Sequence, residues 1–210
     1  MTRNKSLFLT LLSASVVLLA LFTVTLRTQA ETSTLKNMQT AFNGESNAHA
    51  RYLAFAKQAD VEAYGEVASL FRAAARAEDI HASNHSVVIK KLGAVPQARI
   101  DAPDVKSTRE NLQAAIKGET YERDTMYPAF IKQARLDGDR DALKSLNYAK
   151  TAEVEHAKLY TAALAQLDTL KGTKSVTFLV CPTCGFTTRD SKFVKCPSCF
   201  TPVERFEKVA

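Results

Sequence analysis

The chain has 210 residues, nearly half of them hydrophobic, enough to bury the core of one medium domain with a smaller one beside it. Its formal charge of +6 includes Arg3, Lys5 and Arg27, which flank an apolar N-terminus. The remainder is close to balanced, so the charge gives no support for nucleic-acid binding, which needs a clustered basic face.

Arg3 and Lys5 precede an uncharged run from Leu7 to Leu26, and Thr28-Gln29-Ala30 follows where a signal peptidase would cut. At about 1.5 Å per residue the run reaches roughly 30 Å, the thickness of a bilayer's hydrocarbon core. Thr10, Ser13, Ser15, Thr23 and Thr25 dilute it, which keeps cleavage open. Residues 1–30 are therefore expected to be a signal peptide or a membrane anchor, with the basic residues retained in the cytoplasm and the rest sent outward. Either form places the folded protein in the periplasm or on the outer face of the cytoplasmic membrane. Membrane contact is expected through this segment only.

Few glycines and prolines favour long helices. From Thr34 to Ala59 the residues Ala41, Glu45, Ala48, Tyr52, Phe55 and Ala59 recur at spacings of three and four, on one helical face. Gly65 marks a turn, and a second helix is predicted from Glu66 to Leu92, ended by Gly93 and Pro96. Gly93 to Lys106 has prolines and no period, so it reads as a long connection. Ser107 with Glu110 forms a capping box for a third helix, which Pro128 is expected to kink. Asp137-Gly138-Asp139 is a turn, and a fourth helix runs to Leu170, closed by Gly172. Four long helices with one extended crossover predict a mostly α fold, a ferritin-like four-helix bundle over residues 31–172. From residue 173 to 210 the chain turns short, strand-like and cysteine-bearing, which marks a second small domain.

Each predicted helix carries a glutamate within its apolar face: Glu45, Glu78, Glu119 with Glu122, and Glu153. Two of them head the same pattern, Glu78-Asp79-Ile80-His81 and Glu153-Val154-Glu155-His156, and residues three apart share one helical face. Twelve glutamates and four histidines would give roughly 0.2 such pairs by chance. Two occur, on different helices. Carboxylates buried together repel one another and would protonate unless cations lie among them. One Glu from each of two helices plus a Glu-x-x-His from each of the others is the di-iron recipe, and Glu122 adds one carboxylate to it. His49 and His85 follow proposed ligands by one turn and read as structural or supporting residues. Tyr52 and Tyr127 are placed to hydrogen-bond to ligand carboxylates or to pack as ordinary aromatics.

All four cysteines fall in Cys181-Pro182-Thr183-Cys184 and Cys196-Pro197-Ser198-Cys199. Two such knuckles bring four sulfurs around one metal, either iron or zinc, and the gap between them is short for a zinc ribbon; disulfides are the other reading for a chain exported to where thiols oxidise. Phe178, Phe186, Phe193 and Phe206 are expected to form a small aromatic core beside that metal.

From Thr34 to the C-terminus the chain resembles the rubrerythrins. The resemblance rests on Gly44-Glu45-Ser46, Ala77-Glu78-Asp79-Ile80-His81, Gly118-Glu119-Thr120-Tyr121-Glu122, Met126-Tyr127-Pro128 and Glu153-Val154-Glu155-His156. Phe178-Leu179-Val180-Cys181-Pro182-Thr183-Cys184-Gly185 is similar to a rubredoxin. The resemblance implies two irons on Glu45, Glu78, Glu119, Glu153 and His156, with Glu78 and Glu153 bridging, and Glu122 and His81 as alternative ligands to one of them. It implies one further iron on Cys181, Cys184, Cys196 and Cys199. It also implies reduction of hydrogen peroxide to water, with Glu122, His81, Tyr52 and Tyr127 serving the reaction and electrons arriving from an external donor protein. A homodimer or higher homo-oligomer is implied too, arranged head to tail so that one chain's four-cysteine iron serves its partner's iron pair. Two features depart from the family. The chain carries an export segment, and Phe200 stands where the rubredoxin pattern has glycine, a position that often needs a left-handed backbone. Competing readings are ferritin-like iron oxidation and storage, and a zinc-ribbon interaction module.

Overall fold

The computed structural model describes residues 6–190 and 192–210, with side chains from Ser33 onward. The segment read as an export signal or anchor lies outside the described side chains. From Ser33 onward no helix is long and apolar enough to cross a membrane.

Helix α1 spans Ser6–Val61, and the face predicted from its spacing is the one it buries: Ala41, Glu45, Ala48, Tyr52, Phe55 and Ala59 are all inaccessible. The chain reverses at Ala63, whose φ of 65° is left-handed, and α2 runs Gly65–Lys91 antiparallel to α1. Glu66 in its first turn and Lys90 and Lys91 in its last complement the helix dipole. Gly65 is obligatory because the chain at Thr173 crosses directly over it. A Cβ there would lie 2.5 Å from the Thr173 carbonyl oxygen.

The crossover that follows has no regular structure, yet it is held straight along α1. Gln39, Asn43 and Asn47 stand one turn apart and act on it as a ladder of amides. Gln39 donates to the Val95 carbonyl (2.8 Å) and accepts from Gln97 N (3.1 Å). Asn43 accepts from Arg99 N (2.8 Å), while Asn47 donates to the Arg99 carbonyl (2.8 Å) and accepts from Asp101 N (2.9 Å).

Ser107 and Glu110 form the expected capping box at the head of α3 (Thr108–Tyr121). Where a kink was predicted, the helix instead widens into a π turn at Glu122–Met126 and continues as α4 (Tyr127–Leu136). Pro128 has no N–H to offer the preceding turn and its ring crowds that turn; a wider turn relieves both. Asp139 caps α5 (Arg140–Ala165) by accepting from Ala142 N at 2.9 Å, and α6 is a single turn at Leu167–Leu170. The fourth predicted helix is thus broken at Gln166, short of its expected end.

The bundle's apolar interior is divided in two. One cluster surrounds Tyr52, Phe55, Phe71 and Tyr160, the other Met38, Ile89, Tyr127 and Leu146, and the buried glutamates fall between them. The tail folds back along α2 as a three-stranded antiparallel sheet of order β2-β1-β3, with β1 at Phe178–Val180, β2 at Thr187–Thr188 and β3 at Glu207–Val209. Arg76 on α2 clamps it with two parallel hydrogen bonds to Glu207, at 2.7 and 2.9 Å. Phe186, Phe193 and Phe206 stack around the cysteines as expected. Phe178 does not join them. It alternates to the other face of β1 and packs with Val180 into the bundle core.

Candidate metal centre

Helices α1, α2, α3 and α5 each bring one carboxylate to the same level: Glu45, Glu78, Glu119 and Glu153, all fully buried. The three-residue spacing on α2 and α5 sets His81 beside Glu78 and His156 beside Glu153. Donor atoms of Glu45, Glu78, His81 and Glu153 lie within 4.8 Å of one another, and so do those of Glu78, Glu119, Glu153 and His156. Glu78 and Glu153 belong to both groups, which is the position of bridging ligands.

Glu122 stands outside both groups. It opens the π turn, is half-buried, and lines a cavity of about 590 Å³ together with Asn47, Arg51, Asp101 and Tyr121. Of the two residues that the resemblance makes alternative ligands, His81 is drawn into the ligand group and Glu122 is out of it.

The tail sets the orientation of both histidines. His81 Nε2 lies 3.1 Å from the Cys184 carbonyl oxygen, which can only accept, so Nε2 carries the proton. Its Nδ1 then faces Glu78 at 2.8 Å and Glu153 at 3.1 Å. His156 Nε2 lies 3.1 Å from the Thr187 hydroxyl, which donates its own proton to the Gly185 carbonyl and so accepts from the ring. Both imidazoles thereby turn Nδ1 toward the carboxylates. Gly185 is what lets the tail come this close. A Cβ there would lie 2.3 Å from His81 Nε2.

Further hydrogen bonds fix the carboxylates. Tyr52 donates to Glu119 Oε1 at 2.5 Å, and Tyr127 donates to Glu45 Oε1. His85 touches Tyr127 at 3.2 Å through Nε2 and Ser145 at 2.7 Å through Nδ1. Burial and the nearby His81 charge push His85 down to about 3, so its ring is neutral. His49 braces α1 to α2 through the Ala75 carbonyl, 2.7 Å from Nδ1.

Without metal the centre is electrostatically strained. Burial, then the charges of Glu122 and Glu78, hold Glu45 well above the carboxylate range. Burial and Glu78 push Glu119 up to about 7. Burial also opposes ionisation of Glu78, but hydrogen bonds from His156 and His81 outweigh it and take Glu78 well below its usual value. Burial would lower His81, yet Glu153 and Glu78 raise it to about 10. Glu45 Oε2 and Glu119 Oε2 have no hydrogen-bond partner, and Glu78 Oε1 and both Glu153 oxygens meet only imidazole Nδ1 atoms. Each buried atom without a partner costs about 1–3 kcal/mol, more when charged. Cations among them remove that cost, and a carboxylate-rich set with two imidazoles suits a pair of irons. The donor set fits the metal pair.

In the tail, Cys181 and Cys184 pair across the centre with Cys199 and Cys196, at Sγ separations of 3.4 and 3.5 Å, and none forms a disulfide. The two knuckles repeat one geometry. Gly185 N donates to the Cys181 carbonyl at 2.9 Å, and Phe200 N to the Cys196 carbonyl at 3.0 Å. Phe200 has the left-handed φ of 62° that its position demands. The resemblance puts this centre beside a partner chain's irons, but here the Cys184 knuckle lies against His81 of its own chain. Ser145, Thr187 and the Cys184 carbonyl were not foreseen, because no motif marks them and only the folded chain brings them to the site.

The family model for rubrerythrin matches residues 36–164. The chain is 39% identical to nigerythrin from Nitratidesulfovibrio vulgaris over 175 residues, 83% of this chain and 85% of that one. It is 36% identical to rubrerythrin-2 from Clostridium acetobutylicum, covering 81% of this chain and 93% of the relative. The structure of fully reduced, all-ferrous nigerythrin superposes with a TM-score of 0.77 at 38% identity, over 83% of this chain and 86% of that one. With sequence, fold and ligand geometry in agreement, the chain belongs to the rubrerythrin family, and its two ligand sets are those of a di-iron pair and a four-cysteine iron.

Proposed function

We propose that this oxidoreductase is a non-haem di-iron peroxidase that reduces hydrogen peroxide to water in defence against oxidative stress. The reaction consumes two electrons and two protons, breaks one O–O bond and forms two O–H bonds. When bound, the reduced iron pair supplies both electrons. The observation that carries the reading is the contact of His81 with Cys184. It joins the four-cysteine centre to the carboxylate centre through one backbone carbonyl and one imidazole, a junction that iron storage does not need.

Supporting features lie on the other side of the site. The cavity of about 590 Å³ brings a small polar oxidant up to Glu122, with the Arg51 guanidinium beside it. Tyr52 and Tyr127 hold Glu119 and Glu45 in place by donating hydrogen bonds, so those carboxylates do not swing when the charge at the centre changes. The closed cluster of Tyr52, Phe55, Phe71 and Tyr160 excludes water from one flank. Function outside the cytoplasm, with an external donor protein, follows from residues 1–30 and belongs to the same proposal.

Two variants test it. Cys199→Ser is expected to leave the bundle folded, since the ligand sets share no residue. After chemical reduction it still consumes one equivalent of peroxide, while steady-state turnover with an external donor collapses. Glu153→Ala removes a ligand from both groups and loses even the single turnover. A Cys199→Ser protein with full steady-state activity would overturn the relay.

A further inference from the structure

The two knuckles of the tail share one geometry but not one environment. The first is buried against the bundle: Cys181 and Cys184 are inaccessible, and the Thr183 carbonyl between them accepts from Asn84 at 2.9 Å, beside the contact of Cys184 with His81. The second is the solvent side of the centre. Cys199 alone of the four cysteines is only partly buried, and Val194, Lys195, Pro197 and Phe200 around it are exposed.

Phe200 is the residue that folding does not account for. Its left-handed backbone disfavours any side chain with a Cβ, yet the ring stays 73% exposed and gains no core packing in return. Val194, on the same hairpin, is 75% exposed. Phe186, Phe193 and Phe206 already supply the aromatic core on the inner side. The charges around this apolar tip are of one sign and unengaged. Lys91 and Arg189 are held by Asp141 and Glu66, whereas exposed Lys144, Lys192 and Lys195 pair with no carboxylate among the described residues. Lys144 sits over the Tyr148 ring at 5.6 Å, and Tyr148 packs against the cysteines. Acidic residues in the tail are limited to Asp190, Glu204 and Glu207, and Arg76 engages the last of these.

We propose that the second knuckle is the docking surface for the external electron donor, a small redox protein with an acidic surface around its cofactor. Phe200 is its apolar contact, and Lys144, Lys192 and Lys195 select for the acidic rim. The proposal rests on the peroxidase reading, which requires a donor. One electron passes in each encounter: the donor's cofactor is oxidised, the four-cysteine iron is reduced from ferric to ferrous, and no bond or proton moves. Two encounters supply the electrons for one peroxide. Entry beside Cys199 and exit beside Cys184 lie on different knuckles, so a docked donor leaves the junction with His81 undisturbed. Redox encounters bury little surface, and aromatic residues are enriched in such contacts, so one ring with a few cations is sufficient.

The test uses the iron-loaded full chain and two acidic probes, a flavodoxin and a plant-type ferredoxin. Calorimetry measures binding to the oxidised protein, and stopped-flow absorbance follows reduction of the four-cysteine iron at stepped salt. The wild type is expected to bind the probes and to lose affinity as salt rises. Lys192→Glu combined with Lys195→Glu is expected to slow reduction on the order of tenfold or more and to reverse its salt dependence. Phe200→Asn keeps a residue that tolerates the left-handed backbone and is expected to weaken binding about tenfold with the salt slope unchanged. Its reduction by dithionite, which needs no docking, is expected to match the wild type. The proposal is overturned if neither probe binds the wild type, or if both variants bind and accept electrons as the wild type does. It is equally overturned if dithionite reduction of Phe200→Asn falls in step, or if that change alters the oligomeric state, which would make this face a contact between copies. If a probe reduces the wild type but peroxide is not consumed, the docking surface stands and the peroxidase reading fails.

Discussion

His81 Nε2 lies 3.1 Å from the backbone carbonyl of Cys184, and the residue after that cysteine, Gly185, has no space for a side chain. Gly185→Ala is therefore expected to push the knuckle off the histidine. Overpacking of this kind costs about 1–3 kcal/mol, and a left-handed alanine adds roughly 1–2 kcal/mol. Both ligand sets survive the change, so metal content should hold while electron passage from tail to bundle slows at least about tenfold, as loss of a tightly defined contact geometry can do. Stopped-flow bleaching and recovery of the four-cysteine absorbance measures this directly. Unaltered transfer would show that the contact is incidental.

Phe200 carries the opposite mismatch. Its backbone is left-handed, and its side chain is 73% exposed, so little packing is lost by removing it. Phe200→Gly is expected to relieve about 1 kcal/mol of backbone strain, partly offset by the freer unfolded chain. The tail iron should then bleach more slowly in a strong chelator. Faster bleaching would mean that the ring shields Cys199 and that shielding outweighs strain.

Removing the bundle metals should make stability depend on pH with a definite sign. Burial and mutual repulsion raise Glu45, Glu119 and Glu122 above their ordinary 4.5, with Glu119 at about 7. Their carboxylate partners raise His81 and His156 above 6.5 against the effect of burial. A raised folded value means that the stability each group contributes is present below its ordinary value and lost as pH rises through the folded one. Glu78 has the reverse shift and acts only on the acid side. The chelated protein should thus melt at falling temperatures as pH rises from about 5 to 9, and iron should flatten the profile by replacing the protons. Calorimetry at stepped pH, with and without chelator, reads this out. A metal-free melting temperature that climbs across that range contradicts it.

Export is expected from the run Leu7 to Leu26 behind Arg3 and Lys5. Cell fractionation with external protease should find the folded part accessible from outside the cytoplasmic membrane. A protein protected inside the cytoplasm would make residues 1–30 an ordinary helical extension.

Much of the site was legible because its chemistry is periodic. Glu78 with His81 and Glu153 with His156 are one turn apart, so a single chain position fixes where both side chains point. The buried face of α1 was legible for the same reason, from Ala41 to Ala59. Ser107 and Glu110 announce a helix start by local hydrogen bonding alone. What stayed hidden depends on contacts between distant segments. Nothing at Ser145 says that it will meet His85, and nothing at Thr187 says that it will meet His156. Pro128 signalled a disturbance, but whether a helix kinks or widens is settled by what its neighbours accommodate. Phe178 was misassigned because a three-residue strand alternates faces, and proximity to cysteines in sequence does not say which face is which.

The amides of Gln39, Asn43 and Asn47 act as a ruler. Four residues of helix advance about 6 Å and two residues of extended chain about 6.6 Å, so the two run in step over residues 95–101. Insertion or loss of one residue there would set donors against donors at every rung. Changes in length are confined to the stretch beyond Asp101, where Ala102, Pro103 and Asp104 border the cavity at Glu122. That stretch can be lengthened or shortened while the helices and their ligands stay put. Relatives of this protein can therefore differ in what reaches their irons without any change in the residues that hold them.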